Sequence, residues 1–273
     1  MANIWRETAK VRFGSVDRSD RLTLWGIFNF FQEAAISHAA DLGVGRGELA
    51  ETGKGWVLSR LSLFVERRPA CEELIEISTW PRSMEKLFAL RDYTIRDSKG
   101  VDVVRGRGAW LILDVEKRRP LRPQLFFESL PANEGINAFH GTGASVPPAS
   151  LKGRENLSKK SERTALYSDI DFYGHANNAR YIQWIQDAAE MDMLTDAVQF
   201  RLDINYLSEV LPGDTVELWT GPIEDYGQGV CEGELQDYPA RPALAFAFEG
   251  RRPGQNPDDV GQAVFRAELR TGS

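Results

Sequence analysis

The chain repeats itself. When Val16-Asp17 is set above Ile170-Asp171 and both are read forward without a gap, Phe28 meets Ile182, Phe30 meets Trp184, Phe31 meets Ile185, and Gln32-Glu33-Ala34-Ala35 meets Gln186-Asp187-Ala188-Ala189. The offset that carries Asp17 onto Asp171 is 154 residues. Both windows place apolar residues at i, i+3 and i+4, the spacing of one buried helix face. A chain of 273 residues has room for two such halves, each with its own core.

After each helix the period changes to two. Val57, Leu61, Leu63 and Val65 alternate in the first half, and Phe200, Leu202, Ile204 and Tyr206 in the second, as half-buried strands do. Beyond them Glu66 and Pro69 match Glu209 and Pro212 at an offset of 143, so the helix-to-strand loop is shorter in the second half. Strand-like runs follow at Leu74 to Trp80, Phe88 to Ile95 and Val103 to Val115, then at Thr215 to Thr220, Gly229 to Leu235, Leu244 to Phe248 and Ala263 to Leu269. Turn residues such as Ser98-Lys99-Gly100 and Pro212-Gly213-Asp214 separate them, and short connections favour antiparallel neighbours. The expected class is α+β, one helix and its sheet per half: residues 1–128 and 162–273. The connection, 129–161, carries Pro131, Gly135, Gly141, Gly143, Pro147-Pro148 and Gly153 and no apolar period. It is long enough to cross a unit if the sheets join edge to edge in a monomeric pseudo-dimer; a homodimer is the other arrangement.

Composition narrows the function classes. Asp plus Glu number 40 against 33 Lys plus Arg, a net charge of −7 that argues against wrapping nucleic acid. Cys71 and Cys231 stand in different halves and in no metal-ligand spacing, so no disulfide scaffold or metal site is expected, and a reducing cytoplasm fits best. No basic-then-apolar segment opens the chain and no run approaches the ~18 apolar residues of a membrane span, so the expectation is a soluble, unexported protein. Gly-x-Ser-x-Gly and Gly-rich phosphate loops are missing from the sequence, leaving water as the expected nucleophile if there is one.

Polar groups concentrate just before the second helix, in Asp169-Ile170-Asp171-Phe172-Tyr173-Gly174-His175-Ala176-Asn177-Asn178. Asn178 or Asn177 can cap the helix, and the remaining N–H groups favour developing negative charge in front of them. His175 is suited to proton transfer at neutral pH, with Asp171 four residues earlier to orient its ring; a surface or capping role fits the same position. Arg21 stands at the matching place in the first half, so the fold does not require histidine there. Glu209, at the end of the strand starting at Phe200, suits either a general base acting on water or an exposed edge charge. Strict alternation puts it on the face opposite Ile204 and Tyr206, so a bulge or a strand end before Ser208 is required for it to reach His175.

Five stretches resemble the plant-type acyl-acyl-carrier-protein (acyl-ACP) thioesterases: Phe31-Gln32-Glu33-Ala34-Ala35, Gly55-Trp56-Val57-Leu58-Ser59-Arg60, Asp171 to Trp184, Tyr206 to Glu209 and, most specific, His175-Ala176-Asn177-Asn178-Ala179-Arg180-Tyr181-Ile182 within the third. The resemblance implies a tandem double hotdog, each half a long helix wrapped by a curved antiparallel sheet. It implies hydrolysis of fatty acyl-ACP to free fatty acid by activated water, without metal or organic cofactor. Asp171 then supports the site, His175 moves a proton or polarises the substrate, Glu209 activates water, and N–H groups at Asn177 and Asn178 receive the thioester oxygen. The first half, with Asp17, Arg21 and Glu66, shapes the acyl pocket through Trp25, Phe28, Trp56, Leu58 and Phe88. Two positions depart from the family. Tyr173 stands where an asparagine is usual, and its hydroxyl either replaces the amide or points elsewhere; Val210 stands where plant members have cysteine, which excludes a mechanism needing that thiol. The acidic carrier protein would dock on local basic clusters, Arg67-Arg68, Lys117-Arg118-Arg119 or Lys159-Lys160. An acyl-CoA thioesterase and a non-catalytic acyl-binding module of the same fold are the alternatives, with a hydratase weaker for want of a matching motif.

Overall fold

The computed structural model describes residues 3–125, 132–133, 135–139, 156–223, 242–254 and 261–272. The chain divides into two compact units. The first contains β1 (Trp5–Lys10), α1 (Leu24–Asp41), α2 (Arg46–Glu51), β2 (Lys54–Val65), β3 (Leu74–Glu85), β4 (Phe88–Arg96), β5 (Asp102–Asp114) and β6 (Arg119–Leu121). The second contains β7 (Ser158–Thr164), α3 (Asn178–Ala188), α4 (Met191–Asp196), β8 (Gln199–Tyr206), β9 (Thr215–Pro222), β10 (Pro242–Arg251) and β11 (Ala263–Gly272).

Taken separately, the two units have one topology. In the first the antiparallel order is β1-β3-β4-β5-β2, with β6 added beside β5; in the second it is β7-β9-β10-β11-β8. The strand before each helix pairs with the second strand after it. Neither β1 nor β7 was expected, because Trp5–Lys10 and Ser158–Thr164 are mostly polar edge segments without an apolar period. β7 begins inside the stretch 129–161 read as a connection, and Ala138 and Phe139 of that stretch pack with Phe64 and Trp80 of the first unit. The run Gly229 to Leu235 and Cys231 lie outside the described residues.

α1 starts where Thr23, in extended conformation, accepts the Gly26 N–H on its hydroxyl at 2.9 Å. Its inner face carries Leu24, Ile27, Phe28, Phe31, Ala34 and Ala35, all buried. Phe31 stacks on Tyr93 of β4, ring centroids 4.7 Å apart, and reaches across to β5 because residue 106 there is glycine: a Cβ would stand 2.5 Å from the Phe31 ring. Each such buried phenylalanine contributes about 1.5–3 kcal/mol. α3 repeats the design with Ala179, Tyr181, Ile182, Trp184, Ile185 and Ala188, and Tyr181 meets Tyr206 and Phe265 edge-on. This helix is shorter than α1: the chain turns extended at Ala189, the last residue of the aligned block, and resumes as α4. No helix among the described residues is long and apolar enough to cross a membrane.

The inner face of α1 also encloses one histidine completely, His38. Its Nδ1 lies 3.1 Å from Nη1 of Arg91 and its Nε2 3.0 Å from Oδ1 of Asn3. Arginine only donates, so Nδ1 accepts and the single proton sits on Nε2, where Asn3 takes it. The charge of Asp41 and the Thr79 backbone favour a second proton but do not outweigh what opposes it. Burial, and then the charge of Arg91, lower the imidazole from 6.5 to about 4. The unfolded chain therefore binds this proton from about pH 6.5 downward while the folded chain resists it. Stability is predicted to fall between pH 6.5 and 4 by up to about 3 kcal/mol. Denaturant unfolding across that range should show the loss, and His38→Gln should remove this component; an unchanged slope in the variant would contradict the assignment.

Candidate active site

The turn before α3 is held by backbone bonds. The Asp171 N–H donates to the His175 carbonyl at 3.0 Å, Gly174 N–H to the Asp171 carbonyl at 3.0 Å, and Asn177 N–H to the Asp169 carbonyl at 2.9 Å. Gly174 takes φ +84°, a left-handed conformation that suits glycine. Asn177 is the cap, its side-chain oxygen accepting the Ala179 N–H at 2.8 Å, so the choice between the two asparagines falls on Asn177. Asn178 is the first helical residue; its carbonyl accepts from the Tyr206 hydroxyl, and its N–H takes no partner among the described residues.

This turn meets the end of β8. The strand stops at Tyr206, and the N–H groups of Leu207 and Ser208 both point at the Val264 carbonyl, at 2.9 and 3.1 Å. That is the strand end Glu209 needs to leave the strict alternation. The Ala176 N–H then donates to the Val210 carbonyl at 2.8 Å. His175 and Glu209 each directly precede a partner in that bond, so their backbone positions lie beside it. Glu209 is exposed, whereas Val210 is fully buried.

Within the turn, Oδ1 of Asp171 accepts the Tyr173 N–H at 2.8 Å and lies 3.9 Å from His175 Nδ1. The second distance is beyond hydrogen-bond length. Tyr173 does not point away from the histidine: the two rings are near parallel, 9° apart in tilt, with centroids at 6.0 Å. Phe172 and Tyr173 are both exposed, giving this side of His175 an aromatic border.

The first unit reproduces the frame bond for bond. Asp17 N–H donates to Arg21, Asp20 N–H to Asp17, Thr23 N–H to Ser15, and Leu22 N–H to Pro69 at 2.8 Å. Asp20 holds the left-handed position, φ +60°. Glu66 and Arg67 N–H both reach the Val103 carbonyl, as Leu207 and Ser208 reach Val264. These bonds correct the sequence alignment beyond the strand: the offset is 141, the one that carries Val65 onto Tyr206, and not 143. Arg68, not Glu66, stands opposite Glu209. Its buried guanidinium pairs with the Asp17 carboxylate and lies 3.2 Å from Ser19 Oγ. The side chain at that position therefore faces the turn, and in the first unit it neutralises the aspartate. Burial raises the Asp17 carboxyl, but the hydrogen bonds from Ser19 and Arg68 and the charge of Arg68 outweigh this and hold it below its usual range.

The expected acyl-pocket residues all lie in the first unit. Phe28 and Leu58 are fully buried core, and Trp25, Trp56 and Phe88 half-buried. Leu58 pairs with Trp110 of β5, and Phe88 packs on Leu90 and Ala109 under the Arg60 guanidinium, so these two flank one stretch of β5. Trp56 donates its indole N–H to the Val44 carbonyl at 3.0 Å. Sequence reasoning missed Arg252, whose guanidinium reaches the Glu209 carbonyl at 2.5 Å and the Ser208 hydroxyl at 3.0 Å; it follows a strand by one residue, where no periodic signal marks it.

Comparison with known proteins gives concordant matches. The family description "Acyl-ACP thioesterase N-terminal domain" matches residues 2–124 and "Acyl-ACP thioesterase C-terminal domain" residues 153–238. Among relatives, the chloroplastic palmitoyl-acyl carrier protein thioesterase of Arabidopsis thaliana is 25% identical over 76% of this chain and 52% of its own length. The chloroplastic oleoyl-acyl carrier protein thioesterase of Coriandrum sativum is 25% identical over 84% and 65%. The chain thus spans about half to two thirds of the length of these curated relatives. An acyl-ACP thioesterase from Bacteroides thetaiotaomicron superimposes with a TM-score of 0.76 at 23% identity over 98% of both chains. The 12:0-ACP thioesterase from Umbellularia californica gives 0.74 at 19%, over 100% of this chain and 97% of its own. These two likenesses establish the hotdog fold.

The locked first turn generates a prediction. Arg68→Met strands the Asp17 carboxylate and should lower the unfolding free energy by about 3 kcal/mol. Adding Asp17→Asn should recover most of the loss in denaturant unfolding. Additive losses in the double variant would mean that the pair is not the relevant contact.

Proposed function

The chain belongs to the acyl-ACP thioesterase family, and from that membership we propose that it hydrolyses fatty acyl-ACP to free fatty acid and carrier protein. One observation carries the reading: a proton-handling histidine and an exposed carboxylate stand on either side of the Ala176–Val210 backbone bond in the second unit, while the same two positions hold Arg21 and Arg68 in the first.

In the proposed reaction Glu209 takes a proton from water as the oxygen adds to the thioester carbonyl. The oxyanion is received by the Asn178 N–H at the positive end of α3. His175, beside Asp171, polarises the carbonyl or relays the proton from Glu209 to the departing thiolate, which yields acid and thiol. Tyr173 borders the histidine. No thiol is required: Val210 occupies the family cysteine position with its side chain buried.

The three basic clusters differ in how their charges are engaged. Arg68 is buried on Asp17, and Arg67 is engaged with Glu73 and Asp97. Lys159 pairs with Glu162 and Glu217, and Lys160 with Glu190. Lys117-Arg118-Arg119, at the turn between β5 and β6, is exposed throughout, with Lys117 3.6 Å from Asp114, and is the proposed contact for the acidic partner.

His175→Ala and Glu209→Gln should each lower turnover on acyl-ACP at least ~10²-fold with the fold intact. Near-normal free-acid release in either variant removes that residue from the mechanism, and tight acyl binding without turnover by the unaltered protein favours the acyl-binding module. Cys71→Ser with Cys231→Ser should stay active. Reversing the charges at Lys117, Arg118 and Arg119 should raise KM for acyl-ACP, flatten its salt dependence and leave a short acyl-CoA nearly unaffected; unchanged carrier kinetics would favour the CoA reading.

A further inference from the structure

Glu209 lies beyond the last ladder residue of β8, so strand pairing does not set the orientation of its peptide. Arg252, the residue after β10, spans this gap. Its own N–H donates to the Gln262 carbonyl at 2.9 Å, anchoring the backbone. From there Nη2 donates to the Glu209 carbonyl at 2.5 Å and approaches Asp214 Oδ2 at 3.4 Å, while Nη1 donates to Ser208 Oγ at 3.0 Å and reaches Gln262 Oε1 at 3.4 Å. One rigid fork thus grips two consecutive residues of the segment that carries the carboxylate. Hydrogen bonds from a charged donor are about twice as strong as neutral ones, and the planar guanidinium fixes direction as well as distance.

The first unit supplies the contrast. Arg96 faces Glu76 across the sheet as Arg251 faces Glu217, so Asp97 stands where Arg252 does; Arg67 matches Ser208, and Glu73 matches Asp214. The charges are exchanged. There the guanidinium belongs to the strand-end segment itself, and Arg67 binds the side chains of Glu73 and Asp97. Among the described residues, only in the unit with His175 does an arginine, from just beyond β10, reach the backbone at this position.

We propose that Arg252 is a positioning residue for Glu209, holding the peptide of the base so that its carboxylate meets the attacking water. The inference rests on reading Glu209 as the base. A general base displaced by about 1 Å loses up to ~10²-fold in rate, so Arg252→Gln should lower kcat on acyl-ACP about 10–100-fold with KM nearly unchanged. The decisive comparison repeats the substitution in the Glu209→Gln background, using single-turnover release of free acid and a thermal midpoint as the folding control. With no carboxylate to position, the second substitution should cost nothing further. Arg252→Lys, which keeps the charge and loses the fork, should fall between the two and carries the same comparison if the Gln variant does not fold. Equal losses in both backgrounds, or a normal kcat in Arg252→Gln, would overturn the positioning role. A normal rate in Glu209→Gln alone would instead overturn the base assignment, and the positioning role with it.

Discussion

The hydrogen bond from the Ala176 N–H to the Val210 carbonyl is the constraint on which the rest of the candidate site depends. It ties the start of a helix to the end of a strand that the sequence places more than 30 residues later. Two consequences follow from its being a backbone bond. The distance between the elements is set without reference to any side chain, and the residues flanking the bond are brought together whatever their identity. The first unit makes the same bond between Leu22 and Pro69 and fills the flanking positions with two arginines. One frame thus holds a salt-bridged aspartate in one unit and a histidine, a carboxylate and an open helix N–H in the other.

The difference between the two turns is electrostatic. Arg68 sits on Asp17 in a buried pair, a contact that satisfies the carboxylate and leaves it with little chemistry to do. With glutamate at the equivalent position, no arginine or lysine among the described residues pairs with Asp171, and its carboxylate lies 3.9 Å from His175 Nδ1, too long for a hydrogen bond. Arg252 donates to the backbone carbonyl of Glu209, so what it restrains is the peptide of the candidate base. The aromatic border of Phe172 and Tyr173 further separates this turn from the first, where Ser19 hydrogen-bonds back to Asp17 instead.

Much of this was legible in the sequence, and the exceptions share a cause. The helices announced themselves because seven or more residues of α1 repeat a burial pattern with period 3.6, and the long strands did so with period two. Position alone singled out Asp171 and His175 as candidates, with a surface or capping role open for the histidine, and left the helix cap between Asn177 and Asn178. The edge strands β1 and β7 stayed hidden because their residues are mostly polar on both faces. The register beyond β2 and β8 was misread by two residues for a related reason: the segment from Glu66 to Pro69 has no period to lock onto, so matching letters, Glu with Glu and Pro with Pro, outvoted the backbone. Only the shared pair of N–H groups on Val103 and on Val264 reveals that Arg68 occupies the place of Glu209. Arg252 was invisible for the same want of pattern.

A protein that carries one backbone frame twice also carries its own reference standard. The amides of Leu22 and Ala176 make the same bond at the same 2.8 Å in turns of equal design, yet only one is flanked by candidate catalytic groups. Their hydrogen-exchange rates, read side by side in a single sample, would report the local opening of a decorated and an undecorated copy under identical solvent, temperature and denaturant. A slower Leu22 would measure how much rigidity the second turn gave up when charge pairing was replaced by reactive groups; equal rates would say that the frame, and not its side chains, sets how firmly the turn is closed.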